Sequence, residues 1–306
     1  MLTSQSCSYD QDTDPDYNIV NHRIDSYYYH EGEISFTGNQ SPYVIKILHS
    51  NIRSIGANLD SFLEAHGELS VLALCETWLS PCSEYLYNLP NFNCYFESRC
   101  QKGGGGVALF VSNKYSNSKI AEISYVLPWI ETVFVRVNFG GSTNYVIGSI
   151  YRPPSCDVSL FIDSMYSIMN VLATKYNNEK VVLTGDTNLD LLKVCENKLT
   201  SEYCMMMNSY GFLPYIVRPT RVSCHSATIL DQIWYNDDNV VRSGIILSDI
   251  TDHFPVFIEL NIEPSNINVI NFSRRILNSR NKAAFDELVS AFDWSTVITD
   301  SDPESS

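Results

Sequence analysis

Positive charge is scarce in this sequence. Its 306 residues hold 20 Lys and Arg against 35 Asp and Glu, a formal net charge of −15. The deficit is uneven. Residues 1–42 carry seven acids against Arg23 alone, and residues 286–306 carry six acids and no base, which leaves 43–285 close to neutral at −3. Such a chain is no general basic magnet for nucleic acid, although a local contact surface is still allowed. Long apolar runs are missing too: none approaches the roughly 18 residues of a membrane helix. The opening MLTSQSCSYDQDTDPDY is acidic and polar, unlike a secretory signal. CxxC pairs are absent, and the nine cysteines are odd in number and scattered, which argues against a disulfide scaffold or a zinc module. These absences predict reduced, mostly buried thiols and an intracellular protein, nuclear or cytoplasmic, with no membrane association and no obligate protein partner.

What is present suffices for a large core, since 44% of the residues are hydrophobic. Residues 1–42 show no hydrophobic period and read as an acidic, disordered or loosely attached leader, although Tyr27-Tyr28-Tyr29 offers a surface that could dock. From Tyr43 the texture changes. Short apolar runs at 43–51, 71–76, 107–111, 129–139, 143–151, 180–186, 227–236 and 253–262 predict strands. Helical spacing appears at 55–66, at 159–176, at 198–211 and at 281–292. Strands mixed with helices in this way predict an α/β fold with both hairpins and crossovers. Several strands end in polar residues: Asn51, Glu76, Tyr151-Arg152, Asp186 to Asn188, Asp231 and Asp252-His253. Strand ends along one sheet edge are where α/β active sites collect.

Those residue types suit metal-assisted phosphodiester hydrolysis. A hard cation takes carboxylate and carbonyl oxygens, a water must be deprotonated, and the charged phosphorane needs donors. Each piece alone has a plainer reading. Glu76 alone is a loop carboxylate or cap, Asp186-Thr187-Asn188 an Asx turn, Asp252-His253 a capped strand start, and Tyr151 a packing residue. Their combination and order are more specific. HSNIRS, CETWL, GGGVALFV, IGSIYRPP, TGDTNLDL, SATILDQIW and TDHFPVF occur in unbroken sequence across 43–262. Together they resemble the exonuclease–endonuclease–phosphatase (DNase I-like) superfamily, and most of all the endonuclease domain of non-LTR (LINE-type, Jockey-like) retrotransposons.

The resemblance implies a four-layer α/β sandwich, two packed mixed β-sheets flanked by helices, over 43–262. Residues 263–306 would then be a linker and amphipathic helix leading toward a reverse transcriptase. It implies Mg²⁺ as cofactor, with Mn²⁺ an alternative, and DNA as substrate. Glu76 would be the main metal ligand, with Asn51 and Asp252 contributing. Tyr151 would donate to the scissile phosphate, and Asp186 would orient and deprotonate the attacking water. Asn188 would bond a phosphate oxygen, with Arg152 and Thr251 as further substrate contacts. Asp231 would fix His253, whose imidazole would stabilise the phosphorane. Thr187 and Thr251 depart from the usual wording without removing a functional group.

Other signals carry less. YNDD at 235–238 resembles a polymerase acidic pair, but no palm-sized sequence surrounds it, so a turn between strands is expected. KGGGG at 102–106 lacks the Gly-Lys-Ser/Thr ending of a phosphate loop and is expected to serve a hairpin. His49, two residues before Asn51, has two readings, a place near the site or a satisfied structural histidine, and the second is expected. Two other functions fit the residues: a phosphoesterase of the same fold acting on a non-nucleic-acid ester, and a decayed copy that only binds.

Overall fold

The computed structural model describes residues 26–31, 43–66, 69–100, 103–262 and 279–292. Two seven-stranded sheets form its centre. The first contains β1 (Tyr27–His30), β2 (Val44–Asn51), β3 (Val71–Cys75), β4 (Phe92–Glu97), β5 (Val107–Ser112), β15 (Val240–Leu247) and β16 (Val256–Asn261), in the order β1-β15-β16-β2-β3-β5-β4. The second contains β6 (Ser116–Lys119), β7 (Tyr125–Leu127), β8 (Ile130–Asn138), β9 (Tyr145–Tyr151), β10 (Lys180–Asp186), β11 (Leu213–Pro214) and β14 (Asp231–Tyr235). Its order is β11-β14-β10-β9-β8-β6, with β7 paired to β8. A separate hairpin joins β12 (Arg221–Val222) to β13 (Ala227–Thr228).

Alternation along the strands assigns three apolar layers. Ile45, Ile47, Val71, Ala73, Val133, Val135, Ile147, Val182 and Ile233 meet between the two sheets. The opposite face of the first sheet (Leu48, Leu72, Phe110, Phe257) packs on α1 (Ile55–His66) through Ile55, Leu59 and Phe62. The opposite face of the second sheet (Val146, Leu183, Trp234) packs on α2 (Val158–Lys175) and α3 (Lys198–Ser209). Asp157 caps α2 by accepting from the Ser159 N–H at 2.8 Å, and its Phe161, Met165, Ile168, Met169 and Leu172 form the buried stripe. The result is the expected four-layer α/β/β/α sandwich. A fourth helix, α4 (Ser279–Ala291), belongs to a separate compact unit.

Some expectations need correction. Tyr27–His30 is not loose leader: it pairs in parallel with β15, from Tyr27 opposite Gly244 to His30 opposite Leu247. Tyr29 meets the Phe257 ring edge-on at 5.4 Å, the Tyr28 hydroxyl donates to the Pro219 carbonyl, and Ser26 Oγ accepts from the Val217 N–H. Polar tyrosine edges hid the strand from a reading based on apolar period. The rest of the leader lies outside the described residues. Among the described residues the thiols are not mostly buried: Cys75 is buried, Cys94, Cys156 and Cys204 are half-buried, and Cys82, Cys100 and Cys224 are exposed. The run 227–236 is two pieces, β13 and β14, rather than one strand.

Gly185 marks the tightest point of the second sheet. A Cβ built there would lie 1.8 Å from the Ile150 carbonyl oxygen, a backbone atom that cannot move aside. Gly185→Ala should therefore cost about 3 kcal/mol or more and lower the melting temperature by roughly 6–12 °C, read by thermal unfolding. A melting temperature equal to that of the wild type would show that the two strands have slack that the geometry denies.

Candidate active site

Register across the second sheet puts four polar residues in one row. Glu131 on β8 pairs with Tyr151 on β9, Tyr151 with Asp186 on β10, and Asp186 with Asp231 on β14. Each is at or next to the end of its strand, on the face turned toward the other sheet. From that sheet come the ends of β2 and β3, where Asn51 lies opposite Cys75. Glu76 follows directly. The loop after β15 brings in Asp252 and His253 ahead of β16.

Asn51 joins the two sides. Its amide Nδ2 donates to Glu76 Oε1 at 2.9 Å and to Asp186 Oδ2 at 2.9 Å. Glu76 Oε1 also accepts from the Tyr151 hydroxyl at 3.0 Å. Asn188 supplies its backbone N–H to Asp186 Oδ1 at 2.9 Å, while its side-chain amide donates to the Arg152 carbonyl. On the far side, His253 Nδ1 and Asp231 Oδ2 are 2.8 Å apart, and Thr220 Oγ1 donates to the same oxygen at 2.8 Å. His49 is buried with Nε2 3.5 Å from Asp231 Oδ1, a close approach rather than a full hydrogen bond. It is therefore not the satisfied core histidine expected from the sequence.

Burial sets the charges. Asp186 and Asp231 are both inaccessible and repel each other. Burial and the neighbouring Asp231 push Asp186 up to about 7, against the pull of His253, the Asn51 amide and the Asn188 N–H. Burial acts on Asp231 as well, but His253 and His49 outweigh it and hold Asp231 well below the usual carboxylate range. Desolvation opposes charge on His253 too, yet Asp231 and then Asp186 hold its imidazole up at about 9. Asp186, Asp231 and His253 place ligand atoms within 4.8 Å of one another, compact enough for a cation. Nδ1 of the imidazole already meets Asp231, and the raised pKa of His253 favours its charged form, so the group reads as an ion pair beside Asp186.

Three residues stand differently from their expected roles. The Arg152 guanidinium is buried and donates to the carbonyls of Pro153, Cys156, Thr187 and Asn188, so it ties two loops together and does not face substrate. Thr251 Oγ1 donates to the Asn51 and His253 carbonyls, supporting the turn from within. Asp252 accepts from Arg53 at 2.7 Å and Arg221 at 2.6 Å, which hold it below the usual carboxylate range despite partial burial. Its oxygens serve the arginines rather than the Asn51–Glu76–Asp186 group.

Sequence reasoning missed Thr220 and Glu131. Thr220 has no periodic signal in VRPTRVS; only the fold brings it to Asp231. Glu131 was visible as a lone acid in an apolar strand. It is buried, bonded to Arg99 and to the Gly106 N–H, and burial raises its carboxyl against those two partners. The glycine stretch that it anchors packs under the Glu76 loop: the N–H groups of Thr77 and Trp78 donate to the carbonyls of Gly106 and Gly105. Glu76, Trp78 and Asn188 all hold positive φ, at 55°, 56° and 49°, a backbone state that side-chain-bearing residues adopt mainly at constrained sites.

No family model matches the chain, and no curated protein matches it. Solved structures do. The endonuclease domain of TRAS1, a telomere-specific non-LTR retrotransposon, superposes with a TM-score of 0.56 at 10% identity, over 72% of this chain and 99% of that one. TDP2 from D. rerio, complexed with single-strand DNA product, gives 0.53 at 13% identity, over 71% and 99%. The 3′ phosphatase NExo from Neisseria, bound to a product DNA hairpin, gives 0.53 at 15% identity, over 71% and 99%. At these identities the likeness is one of fold, and the chain has the DNase I-like fold of the endonuclease/exonuclease/phosphatase proteins.

Proposed function

We propose that the protein is a divalent-metal-dependent phosphodiesterase that nicks DNA, of the kind that serves a non-LTR retrotransposon. One observation carries this reading: Tyr151, Asp186 and Asp231 stand in register on one sheet and meet Asn51 and Glu76 from the other, with His253 fixed on Asp231. DNA as the ester is supported by the TDP2 and NExo structures, which hold a single-strand DNA product and a product DNA hairpin. On this reading residues 263–306 lead toward a reverse transcriptase of a parent element.

The donor set fits Mg²⁺ or Mn²⁺. Glu76 is a half-buried carboxylate whose hydrogen-bond partners are the Asn51 amide, the Tyr151 hydroxyl and the Trp78 indole N–H, a hard, oxygen-donor setting. Glu76 would hold the ion. Asn51 turns its amide nitrogen toward the carboxylates, so it orients Glu76 rather than ligating beside it. When bound, the cation supplies charge neutralisation at the phosphate and at the leaving oxygen. The chain's own residues do the rest. Asp186, with its basicity raised by burial and Asp231, takes the proton of the attacking water. His253, charged and held by Nδ1 at Asp231, presents Nε2 to a non-bridging phosphate oxygen as charge develops there. The Tyr151 hydroxyl stands beside Glu76, whereas the Asn188 amide is turned to the Arg152 carbonyl and braces the loop rather than bonding a phosphate oxygen as expected.

Two measurements test this. Supercoiled plasmid should be converted to the nicked form in Mg²⁺ and left intact in EDTA, and Asp186→Asn or His253→Ala should lower the rate by ~10²-fold or more. Full activity in EDTA, or in both variants, would overturn the assignment. The ion pair can be read separately by following the His253 ring protons through a pH titration. They should shift near pH 9, and in Asp231→Asn near or below the ordinary imidazole value of about 6.5. Because the folded-state value of His253 is raised, its own contribution to stability is fully present below about pH 6.5 and is lost as pH rises through about 9, whereas that of Asp231, held low, is lost only as pH falls below the ordinary carboxylate range. A His253 that titrates at the ordinary value in the intact protein would remove the imidazolium from the mechanism.

A further inference from the structure

Trp78 has no part in the chemistry above, yet it stands beside it. Its side chain is 46% exposed, although tryptophan is among the most hydrophobic residues. The ring is nevertheless fixed. Indole Nε1 donates to Glu76 Oε2 at 3.2 Å, and the Trp78 backbone N–H donates to the Gly105 carbonyl at 2.8 Å. Thr77 between them is buried, so Glu76 and Trp78, both at positive φ, are turned outward together. The polar edge of the indole is thereby committed to a carboxylate whose other oxygen is taken by Asn51 and Tyr151. Much of the residue remains exposed to solvent, one hydrogen bond away from Glu76.

The charge distribution says what that exposure is for. Arg152 is buried on carbonyls, Arg53 and Arg221 are paired with Asp252, and Arg99 is paired with Glu131. Among the described residues, the cationic surface left for phosphate at this site is little more than Arg53 and Arg221, which share the one Asp252 carboxylate. A rigid aromatic plane supplies grip without charge, because every base has a π-face to stack on it. We propose that Trp78 is the nucleotide-contact residue of this site: its N–H orients Glu76, and its exposed face stacks on a nucleobase adjoining the phosphate to be cut. This rests on the phosphodiesterase reading above and adds to it a residue and a mode of recognition.

The full chain carrying Asp186→Asn is titrated, in Mg²⁺, onto a labelled DNA duplex with a short single-stranded gap, and the affinity is read by anisotropy. Trp78→Phe keeps a ring face and loses the N–H; Trp78→Leu loses both. Leu should weaken binding on the order of tenfold more than Phe. Abasic residues in the gap should weaken binding to the Trp78 protein by a similar factor and add little to the loss in the Leu variant. A purely structural role for Trp78 would move neither the Phe-to-Leu difference nor the non-additivity. Equal binding by Phe and Leu variants, or abasic and Leu losses that simply add, would overturn the proposal. If the Leu variant does not fold, the abasic comparison on the Trp78 protein still decides: undiminished binding overturns it. Plasmid nicking by the wild type, run in parallel, separates the two readings, since a chain that nicks but shows no ring-face effect loses only this inference.

Discussion

Two carboxylates that cannot move apart govern this structure. Asp186 and Asp231 are paired residues on neighbouring strands, fixed by the β10–β14 ladder and cut off from water. Leaving two such charges unpartnered would cost several kcal/mol. The surrounding residues answer that repulsion. His253 and Thr220 serve Asp231, Asn51 and the Asn188 N–H serve Asp186, and the outcome is unequal basicity, with Asp231 firmly ionised and Asp186 poised near 7. Two chemically identical groups thus acquire different tasks from their neighbours alone.

The same logic reaches further out. Asn51 links Asp186 to Glu76, Tyr151 links Glu76 back to the row, and Glu131 anchors the glycine stretch on which the Glu76 loop rests. Each link crosses between sheets or between strands distant in sequence, so no single segment holds the site. Its rigidity is the rigidity of the sandwich, and strain at Glu76, Trp78 and Asn188 is tolerated because the flanking strands over-determine their positions.

Much of this was legible from one sequence, for a physical reason. Strands whose inward residues are apolar up to a final polar one announce themselves, as KVVLTGD and YVIGSIY do, and amphipathic α1 and α2 follow from spacing alone. The four-layer arrangement is the one the resemblance implied, and the fold brings Asn51, Glu76, Tyr151, Asp186, Asp231 and His253 together. Other features depend on partners far away in the chain. Arg152 looks available beside a motif, and only its four carbonyl acceptors show it to be buried structure. Asp252 looks like a ligand beside His253, and only the fold brings Arg53 and Arg221 to it. Thr220 carries no local signal at all. Side-chain direction at strand ends is decided by the opposite sheet, which a linear pattern does not contain.

The parallel pairing of Tyr27–His30 with β15 has a consequence for the behaviour of the molecule in bulk. A bare β15 would offer a row of unsatisfied N–H and C=O groups, an open template for another chain. β1 covers the half of that edge from Gly244 to Leu247, and its short, tyrosine-rich length presents little onward edge. The segment is thus a guard against self-association as much as a contributor to the fold. A boundary drawn at Tyr43, where the apolar pattern begins, would open the Gly244–Leu247 edge while keeping Asn51, Glu76, Asp186, Asp231 and His253.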